Sequence, residues 1–248
     1  IEGYRNFANK LWNAARYVLG RLQGSSEGEE GQASVARYPD ARARGVRPAV
    51  TALPNRWILS RLDVALAASN AGIEAYRLDE GSQALYHFVW DELCDWYLEL
   101  IKGRDVDEDL AATLTFVLGQ TLALCHPFIP FVTEELWEHV PGTDGALLAG
   151  AAYPRVDPAL VDVPAETHVG DLIAAVTALR AWRETTDLPP KTVLPARVPA
   201  GYADVAALIA RLGRLDLDAA LEGEPSAAVP VPGGAVEIFA ADLVDPAA

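Results

Sequence analysis

Methionine is absent from the 248 residues, cysteine occurs twice and histidine four times, and each scarcity removes a class of function. Cys94 and Cys125 make no C-x-x-C pair, so neither a disulfide framework nor a thiolate zinc site is expected; two thiols kept reduced is the reading adopted. His126 and His139 have no metal-ligating neighbour at useful spacing and read as structural. No apolar run approaches the ~20 residues that a membrane span needs, and no charged segment precedes an apolar stretch at the N-terminus. A cytoplasmic protein without membrane association is therefore expected. Neither a G-x-x-x-x-G-K phosphate loop nor a G-x-S-x-G elbow occurs. Acidic residues number 35, too many for spacing alone to nominate an acid–base pair. The lack of even an initiator Met suggests a piece of a longer chain.

Hydrophobic residues make up 51% of the sequence, so the chain is globular and long enough for one large or two smaller domains. Its formal charge of −15 argues against indiscriminate binding of polyanions, because non-specific nucleic-acid affinity comes from cations that release counterions. The charge is unevenly spread. Residues 1–22 sum to +3 and residues 37–62 to +5, whereas residues 63–140 sum to −12 and residues 141–248 to −8. A surface that faces RNA is feasible only in the first quarter of the chain.

That quarter opens on a two-faced helix. At 3.6 residues per turn, Tyr4, Phe7, Ala8, Leu11, Ala15, Val18, Leu19 and Leu22 form an apolar side with Trp12 at its border. Asn6, Asn9, Lys10, Asn13 and Tyr17 gather on the other side, flanked by Arg5 and Arg16. Ordinary solvent faces are filled by Glu and Lys pairs, and Asn is a poor helix former. Amides and cations beside a ring suit the base edges, phosphates and stacking of single-stranded RNA. The same pattern also fits a plain solvated face.

Three segments carry a resemblance: FANKLWNAARYV (residues 7–18), FVWDELCDWYLE (88–99) and HPFIPFVTEELWE (126–138). Together, and in this order, they resemble the valyl-tRNA synthetase region that follows the catalytic domain, the anticodon-binding helical domain. The third segment is shared with the isoleucyl and leucyl enzymes; the first two favour the valyl type. The resemblance implies a mainly α fold, a five-helix anticodon-binding bundle followed by a small α/β domain. It also implies that the link between the first two helices is normally shorter than here.

The remaining chain fits that plan. Residues 24–34, GSSEGEEGQAS, and the arginine-rich stretch after them read as a flexible insertion over about residues 23–52. A second helix follows Pro54 to about residue 72. A third, from about Asp79 to Lys102, is the most apolar and is expected at the centre of the bundle, with a narrow polar strip of His87, Asp91, Asp95 and Lys102. Asp105, Asp107, Glu108 and Asp109 read as caps for a fourth helix, Leu110 to Leu124, rather than a calcium loop. Pro127 and Pro130 precede a fifth. The bundle is assigned to residues 1–140, a linker to 141–167 and the α/β domain to 168–248. In that last domain a helix over Val169–Arg183 is followed by short extended runs, Thr192–Val198, Ala228–Val231 and Ala235–Phe239, around a helix near Ala203–Leu212, and Pro195 demotes the first run to an edge strand or an irregular one. The coiled coil that ends valyl-type chains is missing from these residues.

By the resemblance, Lys10 and Arg16 contact phosphate and bases, Asn13 reads a base edge, Tyr17 stacks on a base and Leu98 is an apolar backstop. Tyr17 stands where Phe is common. The class I active-site signatures are absent: there is no H-x-G-H, and a KMSKS loop is impossible without Met. The chain alone is therefore expected to be inactive and to bind no cofactor, ATP belonging to a catalytic domain elsewhere in the full-length chain. Its expected partners are a valine-accepting tRNA and that catalytic domain, in a monomer. The rivals are the same architecture in an isoleucyl or leucyl enzyme, and a protein-binding helical scaffold without RNA.

Overall fold

The computed structural model describes residues 2–24, 47–157, 161–186, 188–221 and 223–240, with side chains from Arg5 onward. Most of the expected insertion, residues 25–46, lies outside the described residues, as does Tyr4's side chain. Two compact units are formed, Ile1–Glu166 and Thr167–Ala248.

The first unit is built from helices whose starts are written locally. α1 spans Glu2–Gly24 and α2 Leu53–Glu74, the latter with Pro54 in its first turn, where a missing N–H costs nothing. α2 turns back on α3 (Leu78–His87) so closely that a Cβ on Gly72 would stand 2.6 Å from the Gly81 nitrogen; only glycine permits that approach. α3 continues as a π-helical stretch, Phe88–Tyr97, and a final turn, α4, Leu98–Leu100. α5 covers Glu108–Cys125, where the Asp107 carboxylate accepts from the Leu110 amide at 2.7 Å, the capping role expected of it. α6 covers Pro130–Trp137.

The third helix was expected at the centre of the bundle, but α5 lies there. Every residue from Thr113 to Cys125 is buried, whereas the third helix leaves Tyr86 exposed and Trp90 and Trp96 half-buried. Hydroxyls are tolerated inside α5 because Thr113 and Thr121 donate to carbonyls one turn back, at 2.8 and 2.6 Å. Tyr97 is fully buried and donates to Asn55 Oδ1 at 3.0 Å. The Gly, Pro and Ala-rich stretch after Val140, expected as linker, is held to the bundle. The Trp137 indole donates to the Ala146 carbonyl at 3.0 Å, and the Glu134 carboxylate accepts from the amides of Leu148 and Ala149. Further on, Asp162 receives the Arg56 guanidinium at 2.8 and 3.0 Å. Arg61 bridges Glu92 and Glu166, which ties the first turn of α7 (Val163–Glu184) to α2.

The second unit packs α7 and α8 (Ala206–Gly213) with a small sheet. Its strands, β1 (Leu194–Arg197), β2 (Leu215–Asp216), β3 (Ala227–Val231) and β4 (Gly234–Ile238), lie in the order β2-β1-β4-β3. β1 runs parallel to β2 and antiparallel to β4, so Pro195 occupies an interior strand and neither the edge nor the irregular run expected of it. Pro195 stands where the pairing with β4 ends, beside the paired Ala196 and Arg197, and takes part through its carbonyl alone, which accepts from the Phe239 amide at 2.9 Å. β3 and β4 close through Pro232–Gly233, with Gly233 at φ 74°. Leu194, Ala196, Val229, Val236 and Ile238 alternate inward, and Val169, Leu172, Ala175, Val176 and Leu179 of α7 are likewise buried.

Candidate nucleic-acid interface

α1 presents two faces for the reason its spacing gives. Leu11 and Ala15 are 0% exposed and Val18 and Leu22 2%, while Arg5, Asn6, Asn9, Asn13 and Arg16 stand in solvent. Successive contacts show that α1 lies alongside the third helix in the same direction. Phe7 stacks on Tyr86 with centroids 5.5 Å apart, and Tyr86 stacks on Trp90 at 5.4 Å. The Lys10 ammonium lies 4.5 Å from the Trp90 ring centroid and 2.7 Å from Asp95 Oδ1. At the far end, Arg21 donates to the Arg104 carbonyl beyond α4.

Leu98 is half-buried and shares its row with Trp90 and Cys94, each four residues apart along the seam with α1. Lys10 is thus brought to the turn just before Leu98, and the Tyr17–Arg21 end of α1 to the segment just after it. Asn13 and Arg16 are exposed between these points and have no hydrogen-bond or ion-pair partner among the described residues. Tyr17 is half-buried, its hydroxyl accepting from Arg21 Nη1 at 3.2 Å.

The electrostatics alter the picture of Lys10. Burial opposes its charge, but the hydrogen bond and attraction of Asp95, with Asp91 adding to it, raise the ammonium's pKa above its ordinary value. The cation is therefore matched by a carboxylate in the free chain, and a phosphate must displace Asp95 to reach it. Asp95, Trp90 and Arg21 were missed as site residues. Arg21 was within reach, one helical turn from Tyr17; the pairing of Lys10 with a carboxylate 85 positions away was not.

Among the described residues no group of three His, Cys, Asp or Glu side chains can hold a metal ion. A cavity of about 700 Å³ beside α1 is lined by Phe7, Leu78, Leu85, Tyr86, Phe128 and Ile129. Cys125 also lines it, but burial pushes that thiol up to about 12, where it stays protonated and unreactive.

A family model described as the anticodon-binding domain of tRNA ligase matches residues 55–198. The chain belongs to this anticodon-binding family. The valine–tRNA ligase of Nitratidesulfovibrio vulgaris Hildenborough is 38% identical over 228 residues, which are 87% of this chain and 24% of that protein. The valine–tRNA ligase of Laribacter hongkongensis is 37% identical over 244 residues, 93% of this chain and 24% of that protein. Among solved structures, the LeuRS of Agrobacterium radiobacter K84 in a ternary complex with tRNA and LeuAMS aligns with a TM-score of 0.47 at 18% identity, over 64% of this chain and 17% of that one. The chain spans about a quarter of the length of the two ligases. The three signature segments meet: α1 packs against both the π-helical stretch and α6. The family model begins in α2, so it includes Leu98 and leaves Lys10, Asn13, Arg16 and Tyr17 outside its match.

Proposed function

We propose that this chain is the tRNA anticodon-binding region of a valine–tRNA ligase. The observation that carries the reading is the seam between α1 and the third helix, where exposed Asn13 and Arg16 lie between Lys10 and Tyr17, abreast of Leu98, in a chain 38% identical to a valine–tRNA ligase. Arg16 offers an open guanidinium to the phosphate backbone, and Lys10 does so once Asp95 lets go. The Asn13 amide reads a base edge, Tyr17 provides a stacking ring and Leu98 an apolar backstop. Each contact is of the type that an unstacked loop base can use.

In this reading the chain positions the anticodon stem-loop while the acceptor end reaches a catalytic domain elsewhere in the same polypeptide. Valine activation with ATP belongs to that domain, and this region alone is inactive and holds no cofactor. Uncovered apolar surface supports such a neighbour: Tyr76, Leu78 and Phe131 are 93%, 58% and 91% exposed, and Phe128 and Ile129 line the cavity beside α1. The enzyme is proposed to act as a cytoplasmic monomer. No described helix is long and apolar enough to cross a membrane.

The test is a titration with valine-accepting tRNA and with the same tRNA carrying an altered anticodon triplet, at two salt concentrations. The native triplet is expected to bind better. Equal binding to both would leave only a generic RNA-contacting bundle, and preference for an isoleucine or leucine anticodon would reassign the enzyme. Binding indifferent to salt and to joint Lys10→Ala and Arg16→Ala substitution would favour a protein-binding scaffold.

A further inference from the structure

The hydroxyl of Tyr17 is not left in solvent. It accepts from Arg21 Nη1 at 3.2 Å, with the guanidinium carbon 6.0 Å from the ring centroid. The other arm of the same guanidinium, Nη2, donates to the Arg104 carbonyl. Arg104 lies between Leu98 and α5, and it pairs at 3.2 Å with Asp107, the residue that caps α5. One side chain thus joins the stacking ring on α1 to the segment that follows the apolar backstop.

We infer that Arg21 is a positioning residue, a strut that fixes the Tyr17 ring and its spacing from Leu98 before RNA arrives; the inference rests on the anticodon-binding reading. A ring on a helix surface otherwise samples several rotamers about χ1 and χ2. Ordering one such side chain at the moment of binding weakens affinity by about two- to twelvefold, a loss that a pre-set ring avoids. Arginine suits the task because its planar fork serves two acceptors at fixed angles, which a lysine ammonium does not. The rival role for Arg21 is a direct phosphate contact. That role needs a cation but not the Tyr17 hydroxyl.

A double-mutant cycle separates the two, using Arg21→Lys and Tyr17→Phe in the 248-residue chain and an RNA hairpin that carries a valine anticodon. Each single substitution is expected to weaken binding about three- to tenfold, and the double variant much less than the product of the two, with an unchanged salt dependence. Wild-type affinity in Arg21→Lys, or losses that multiply, would overturn the strut. NMR of the free chain provides the second readout: the Arg21 guanidinium N–H signals should be slowed and dispersed in the wild type and collapse in Tyr17→Phe. If the wild type ignores the hairpin while those signals remain, the anticodon reading has failed and the platform with it. If the hairpin binds but the cycle is additive, only the strut has failed.

Discussion

Replacing Asp95 with Asn should tighten RNA binding, and the size of the gain follows from how Lys10 is held. The ion pair is short, 2.7 Å, but its side chains are 30% and 49% exposed, so water screens the attraction. Pairs of that kind contribute about 0–1 kcal/mol. A phosphate that claims Lys10 must give back this amount, and it must approach a carboxylate that repels it. Asn is isosteric and uncharged, so it releases the ammonium over Trp90 without removing bulk, and the fold should lose less than about 1 kcal/mol. Affinity for a valine anticodon hairpin should rise up to about fivefold at low salt, the equivalent of about 1 kcal/mol. One more neutralised phosphate also steepens the dependence of log K on log salt by about 0.7 for an unpaired loop, so that between 50 and 200 mM salt the advantage shrinks about 2.5-fold. Fluorescence anisotropy across a salt series measures both quantities. Adding Lys10→Ala to Asp95→Asn should abolish the gain. If Asp95→Asn binds the hairpin no better and with an unchanged slope, Lys10 is a clip between α1 and the third helix and contacts no RNA.

Asp63 should make stability depend on pH in a definite direction. Burial raises its carboxyl to about 6, against the pull of Arg47 and with Asp157 adding repulsion. The folded pKa exceeds the unfolded one, so this contribution is fully present below about 3.9 and is lost as the pH rises through about 6. Asp63→Asn should flatten that segment of the urea-midpoint profile, and parallel profiles for variant and wild type would contradict it. Tyr97→Phe should cost about 1–3 kcal/mol in denaturant unfolding, because Asn55, fully buried with its Nδ2 already unpaired, loses its remaining partner. An unchanged midpoint would mean that Asn55 finds another. Arg61→Met should cost about 1–3 kcal/mol, below the usual figure for a buried network, since Arg61, Glu92 and Glu166 retain 27%, 23% and 22% exposure. Hydrogen exchange over residues 161–166 should accelerate with it; exchange confined to its wild-type rate would show that the first turn of α7 is held unaided by Arg56 and by Ser60, whose hydroxyl donates to Glu166 and accepts from the Asp162 amide.

Why α1 was legible and the helix beside it was not comes down to winding. Leu11, Ala15, Val18 and Leu22 recur at the α-helical period, so their burial follows from the sequence alone. From Phe88 to Tyr97 the chain winds as a π-helix, whose i→i+5 bonding no residue propensity announces. Val89, Leu93 and Tyr97 then fall in a buried row, Trp90, Cys94 and Leu98 in a half-buried one, and Asp91 and Asp95 in an exposed one. A 3.6-residue reading merges Trp90 and Trp96 into the core and leaves Asp95 in a narrow polar strip with no partner assigned. The same limit hid β2, a strand of only Leu215–Asp216 that exists because β1 lies beside it. Charge counting failed for a related reason. The net +3 of residues 1–22 overstates what RNA can meet, because Asp95 matches Lys10 and Arg21 is spent on the Tyr17 hydroxyl and the Arg104 carbonyl. Of the cations on α1, Arg5 and Arg16 alone remain exposed. On the proposed reading, tight RNA binding by a surface so sparsely charged comes from stacking and base edges, the regime in which an anticodon is told apart by its bases rather than its backbone.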